Sequence, residues 1–121
     1  MDKFEIAIYN ALRELEIPPH VRGYEFLKSA LRYLRKNPNA IYAITTELYP
    51  EVAKLHGEKV KPSHVERGMR HALSLSKVDD AAWLRLMGRA GHMTNGGFLS
   101  TLGETIRIKL ASDLPEAKKA Q

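Results

Sequence analysis

The stretch Lys61–Lys77, KPSHVERGMRHALSLSK, decides how the rest of the chain is read, because its apolar and charged residues separate onto two faces of one helix. Val65, Met69, Ala72, Leu73 and then Ser76 recur at helical spacing, whereas Glu66, Arg67, Arg70 and Ser74 fall on the opposite side. Pro62 suits a first helical turn. Ser63 is placed to cap it, and Glu66 three residues later completes a capping-box spacing. Arg67 and Arg70 lie one turn apart beside a glutamate and two histidines, a set that can reach guanine edges, cytosine amino groups and phosphates in a DNA major groove. The same pattern describes an ordinary solvated helix face, so the stretch alone leaves both readings open.

Immediately upstream, Pro50 can start a short helix through Val52, Ala53 and Leu55, and His56-Gly57-Glu58-Lys59-Val60-Lys61 is a polar turn whose glycine can end that helix in the left-handed conformation. Helix, glycine-containing turn and basic amphipathic helix form a helix-turn-helix over about 50–77. Further back, Ile41, Ile44 and Leu48 mark a third helix that Pro50 interrupts. Tyr24, Leu27, Leu31 and Leu34, with Phe26, Ala30 and Tyr33 beside them, give a second helix a broad apolar surface, stopped by Asn37-Pro38-Asn39. Its aromatics read as core rather than as a platform for stacking bases. Phe4, Ile8, Ala11, Leu12 and Leu15 mark the first helix, ended by Pro18-Pro19.

Downstream, Val78-Asp79-Asp80 can cap a brief helix through Trp83, Leu84 and Met87 that Gly88 and Gly91 end. Asn95-Gly96-Gly97 reads as a flexible turn before a last helix lined by Phe98, Leu102, Ile106 and Leu110, with Arg107 and Lys109 exposed. No segment has strand periodicity. The fold expected is all-α, with about six helices around the helix-turn-helix, in one domain over 1–112, followed by a frayed tail at 113–121.

Composition narrows the chemistry. The 121 residues contain no cysteine, which removes disulfides, cysteine-ligated zinc and thiol nucleophiles. No apolar run approaches the roughly 20 residues of a membrane span, and MDKFEIAIYN lacks the basic start of a signal peptide, so a soluble, cytoplasmic protein without a membrane partner is expected. Nineteen basic against fourteen acidic residues give a formal charge of +5, which favours a polyanionic partner. Six cations (Lys54, Lys59, Lys61, Arg67, Arg70 and Lys77) face two carboxylates, Glu58 and Glu66, between Lys54 and Lys77, concentrating that excess around the proposed recognition helix. His64 and His71 lie about 10 Å apart along a helix axis, too far to share one ion. Glu47 and Glu51 straddle Pro50 and are explained by solvation. No catalytic motif, metal site or cofactor-binding loop is present, and no enzymatic activity or cofactor is expected.

Ser63-His64-Val65-Glu66-Arg67-Gly68-Met69-Arg70-His71-Ala72 closely resembles the S-R-V-E-R-A-I-R-H-A recognition helix in the C-terminal DNA-binding domain of the sporulation initiation master regulator family (stage 0 sporulation protein A). Ile17-Pro18-Pro19-His20 followed by Gly23-Tyr24 is similar to the family's I-P-A-H-x-x-G-Y. Ile44-Thr45, Leu48-Tyr49-Pro50 and Ala53-Lys54 resemble I-T-x-x-L-Y-P-x-x-A-K, and Thr94-Asn95-Gly96-Gly97-Phe98 is similar to T-N-S-E-F. The resemblance spans nearly the whole chain. It implies an all-helical effector domain that binds short double-stranded DNA boxes, often as two copies on tandem sites, and regulates transcription through contacts with RNA polymerase. By position it implies Glu66, Arg67 and Arg70 as base readers and Ser63, His64 and His71 as phosphate contacts; Lys59 and Lys61 extend the phosphate set through the basic turn.

Four departures qualify the likeness. His64 stands in place of a permanently charged arginine, and Gly68 in place of alanine costs about 1 kcal/mol of helix propensity. The turn is longer by about two residues. The family protein carries an N-terminal phosphoacceptor receiver domain, whereas this chain begins at Met1 with the effector part, as a stand-alone relative or a fragment would. Gly68, His64 and the missing receiver motivate a rival reading, a helical protein-interaction module or antagonist of a related regulator that does not itself read DNA. A weaker rival, an RNA-binding module, rests on basic charge alone.

Overall fold

Twelve residues, Lys3–Glu14, form α1 because Phe4, Ile8, Ala11 and Leu12 share one buried face and Asp2 caps the start, its Oδ1 accepting from the Glu5 N–H at 2.8 Å. The structure, a computed structural model, describes residues 2–89 and 93–112. The chain leaves α1 before reaching Pro18-Pro19. Glu16 adopts φ 55°, its N–H donates to the Arg13 carbonyl (2.9 Å), and the Ile17 N–H reaches back to Leu12 (3.0 Å). This is a Schellman ending, with Leu12 and Ile17 forming the apolar pair that covers it. The helix therefore stops by satisfying its last carbonyls rather than by meeting proline.

Helix α2 (Arg22–Lys36) buries Tyr24, Phe26, Leu27, Ala30 and Leu31 and packs against α1, α3 (Tyr49–Leu55), α4 (Pro62–Ser74) and α6 (Asn95–Ser112). Tyr24 and Phe26 sit in the core, as their spacing predicts, and half-buried Tyr33 packs against it with its hydroxyl donating to Glu47 at 2.7 Å. The expected third helix, interrupted at Pro50, has a different form: a 3₁₀ turn over Pro38–Tyr42 is followed by a π turn over Ile44–Leu48 that runs directly into α3. The Leu48 N–H bonds to the Ala43 carbonyl at 3.1 Å, five residues back. Pro50 has no N–H for the preceding turn, and its ring needs space that the Thr46 carbonyl would occupy in α geometry. The wider turn supplies it. Val52 and Ala53 are buried, but Leu55, expected on the same apolar face, points outward.

Asp79 caps α5 (Asp80–Met87), accepting from the Ala82 N–H at 3.0 Å, and Gly88 ends it at φ 75°. The expected second stop, Gly91, and the tail over 113–121 lie outside the described residues. Asn95-Gly96-Gly97 is not a turn but the first turn of α6. Thr94 caps it, Oγ1 accepting from the Gly97 N–H (3.1 Å) and the carbonyl from the Phe98 N–H (2.8 Å). Once capped, consecutive glycines can enter a helix at its end, where local composition alone reads as a turn. Phe98, Leu99, Leu102 and Ile106 then join Phe26, Leu27, Leu48 and Met69 in one apolar cluster to which all six helices contribute. Six α-helices and no strand are present among the described residues, and none of these helices is long and apolar enough to cross a membrane.

Candidate nucleic-acid interface

The α4 helix begins at Pro62 after an extended Lys61, whose N–H donates to Nδ1 of His64 at 3.1 Å. The start is thus satisfied by His64 reaching back, not by Ser63, which lies inside the first turn with its side chain exposed. Glu66, expected to complete a capping box, instead pairs with Arg70 at 3.5 Å. The register of Pro62 explains the change: with proline as the first helical residue, position three of the turn falls on 64 rather than 66. Because Nδ1 accepts, the neutral ring carries its proton on Nε2, a donor on an exposed side chain.

Val65, Met69, Ala72 and Leu73 are buried as expected, and past the helix end the Ser76 hydroxyl donates to the Leu15 carbonyl at 2.5 Å. At 100° per residue, this buried face has two flanks, one centred on Gly68 and the other on Glu66. The Gly68 flank meets α2 backbone to backbone. A Cβ on Gly23 would stand 1.8 Å from the Gly68 carbonyl oxygen, and a Cβ on Gly68 would stand 2.8 Å from the Phe26 ring. Gly68 therefore has a packing reason that its helix propensity does not reveal. The Phe26 ring also carries the Arg22 guanidinium at 5.3 Å and meets the His56 ring edge-on at 5.0 Å. His56 is held by Ser29 Oγ at 2.8 Å, and burial lowers its pKa.

On the Glu66 flank the contact is polar. Asn95, buried at the start of α6, donates from Nδ2 to the Glu66 carbonyl (3.0 Å) and to the Tyr49 hydroxyl (3.1 Å) at the start of α3. One amide therefore joins both helices of the helix-turn-helix to a third. Helical periodicity carries no trace of this role, and only the Thr94-Asn95 likeness quoted above draws attention to the position.

Between these flanks lies the open face. Lys59, Lys61, Ser63, His64, Arg67, Arg70 and His71 are exposed, and Glu66 is half-buried. The helix brings Ser63, Arg67, Arg70 and His71 onto one side, with Lys59 and Lys61 in the turn that leads into it. Arg67 Nε lies 3.5 Å from the Ser63 carbonyl, a long contact that leaves the guanidinium available, whereas Arg70 is partly engaged by Glu66. Two arginines one turn apart on a rigidly backed helix suit planar, bidentate acceptors, and the flanking histidines and lysines suit phosphates.

A family model described as "Sporulation initiation factor Spo0A C terminal" matches residues 8–106, from the middle of α1 into the last turns of α6, and takes in α3, the turn and α4 entirely. The chain belongs to the family of the Spo0A C-terminal domain, a DNA-binding effector domain.

Proposed function

We propose that residues 1–112 act as one domain that binds double-stranded DNA sequence-specifically and regulates transcription by placing α4 in the major groove, without catalysing a reaction. In this reading Glu66, Arg67 and Arg70 contact base edges, while Ser63, His64, His71, Lys61 and Lys59 contact phosphates. The observation that carries it is the contrast between the two sides of α4: its base is fixed to α2, α3 and α6, and its outward side presents Arg67 and Arg70 in the open. Tandem occupancy by a second copy and contact with RNA polymerase belong to the same reading through the family likeness.

Gly68 and His64 are two of the departures behind the rival reading, an interaction module that does not itself read DNA. Both residues have local roles in building α4, Gly68 at the crossing with α2 and His64 at the helix start, which favours the DNA reading. Selection of bound duplexes from a random pool, followed by affinity measurements over a salt series, tests it. A short enriched motif bound far more tightly than random duplex is expected. Arg67→Ala should then cost about 1 to 3 kcal/mol and relax one base pair, whereas Lys61→Ala should weaken all duplexes alike. Binding that never discriminates among duplexes would refute the reading.

A further inference from the structure

Asn95 lies beneath the DNA-facing surface rather than on it. Its side chain is buried, both hydrogens of its amide are engaged, and Oδ1 has no partner among the described residues. A buried amide left half satisfied is costly, so the two bonds it does make need a reason beyond filling space. One of them is to the carbonyl of Glu66, a residue in the middle of α4 whose side chain pairs with Arg70 one turn on.

Taking α4 as the DNA-reading helix proposed above, we infer that Asn95 is a specificity-determining positioning residue. It sets the rotation of α4 about its own axis, and with it the direction in which Glu66 and Arg70 project into the groove. The backbone carbonyl it holds lies about 2 Å from the helix axis, whereas side-chain ends lie at about 5 to 6 Å or beyond, so a displacement at the carbonyl is at least doubled at the reading groups. The opposite flank is fixed sterically by Gly23 against Gly68, and that contact sets the coarse facing of α4. The hydrogen bond, being directional, fixes the finer rotation. Asn95 issues from the first residue of α6, which the Thr94 cap and the buried Phe98 hold in place. Its second bond, to Tyr49, ties the same amide to α3.

The test is a double-mutant cycle on base discrimination. Affinities for the selected site and for each of its single-base-pair variants are measured for wild type, Asn95→Ala, Glu66→Ala and the double mutant. Asn95→Ser, whose short hydroxyl cannot span to the Glu66 carbonyl, is measured in parallel. All measurements are made at a temperature at which far-UV circular dichroism shows each protein folded. Asn95→Ala and Asn95→Ser should each lose about tenfold in discrimination at the base pair whose preference Glu66→Ala also abolishes, with affinity for random duplex unchanged. In the Glu66→Ala background the Asn95 substitution should have no further effect there. Tyr49→Phe, which leaves the Glu66 bond in place, should keep the wild-type preference. Uniform weakening on every duplex, or additive effects in the double mutant, would show Asn95 to be merely structural and overturn the inference while leaving the DNA-reading assignment standing. A wild-type protein indifferent to sequence would overturn both.

Discussion

Replacing Gly23 with alanine tests the closeness of α2 and α4 most directly. The added methyl would meet the Gly68 oxygen at 1.8 Å, its carbonyl carbon at 2.5 Å and the Ala72 methyl at 2.7 Å, where ordinary contact begins near 3.4 Å. A methyl has no alternative rotamer, and two of the three obstacles are backbone atoms, so relief requires the helices to part. Overpacking of this kind costs about 1 to 3 kcal/mol, and an obstacle that cannot rotate away places Gly23→Ala at the upper end. The better helix propensity of alanine returns at most about 1 kcal/mol, leaving a net loss of about 2 kcal/mol. For a chain of this length that is a fall of roughly 8 °C in Tm. Gly103→Ala is the control, because a Cβ there meets nothing within 4 Å, and it should gain about 0.5 to 1 kcal/mol. Thermal unfolding followed by far-UV circular dichroism reads both. Duplex binding at low temperature should also weaken for Gly23→Ala, since the methyl pushes on the backbone of α4. If Gly23→Ala melts within a degree of wild type, or moves in the same direction as Gly103→Ala, the close crossing is not what places α4.

Glu16→Gly should stabilise the protein by about 0.5 to 1 kcal/mol, because a non-glycine residue at φ 55° carries a steric penalty of about 1 to 2 kcal/mol that glycine's greater freedom in the unfolded chain only partly offsets. A higher denaturant midpoint at unchanged slope is the expected result, and an unchanged or lower midpoint would contradict it. Burial depresses the pKa of His56 below its usual 6.5, with Arg22 and Arg32 adding to the effect and Glu25 opposing it. The folded state therefore binds this proton less readily than the unfolded chain, so the contribution is full above pH 6.5 and is lost as pH falls below it. Tm should drop between pH 7 and about pH 5 in wild type and less so in His56→Gln; parallel curves would remove His56 as the source.

Which parts of this molecule are legible in its sequence follows from the range of the interactions involved. The apolar stripe Val65, Met69, Ala72 and Leu73 is a local pattern, and the helix it predicts has that buried face. The same holds for α1 and α2 and for Asp79 at the start of α5. A local pattern misleads when its register is wrong. Ser63 and Glu66 have the spacing of a capping box, but with Pro62 as the first helical residue it is His64 that reaches back to Lys61. Contacts between distant segments are less visible still. The Asn95 bond to Tyr49 crosses 46 positions and that to Glu66 crosses 29, and neither leaves a period to detect. Gly68 looks like a flaw in a helix until Gly23 is found pressed against it. The residues expected to meet DNA were legible as a charged face, whereas the residues that aim that face were not.

The placement of α6 also bears on when the protein becomes competent during its synthesis. Helices α3 and α4 leave the ribosome well before Thr94, yet Asn95, which holds the Glu66 carbonyl, and Phe98 come from α6, the last in order of the six helices among the described residues. Until then α4 is held by its crossing with α2 and its packing on α3, without the hydrogen bond from Asn95 to the Glu66 carbonyl. A chain cut short before Thr94 would lack Phe98, Leu99, Leu102 and Ile106 from the apolar cluster and leave the rest of it open to aggregation and proteolysis. The apolar cluster on which α4 rests is therefore complete only once α6 docks.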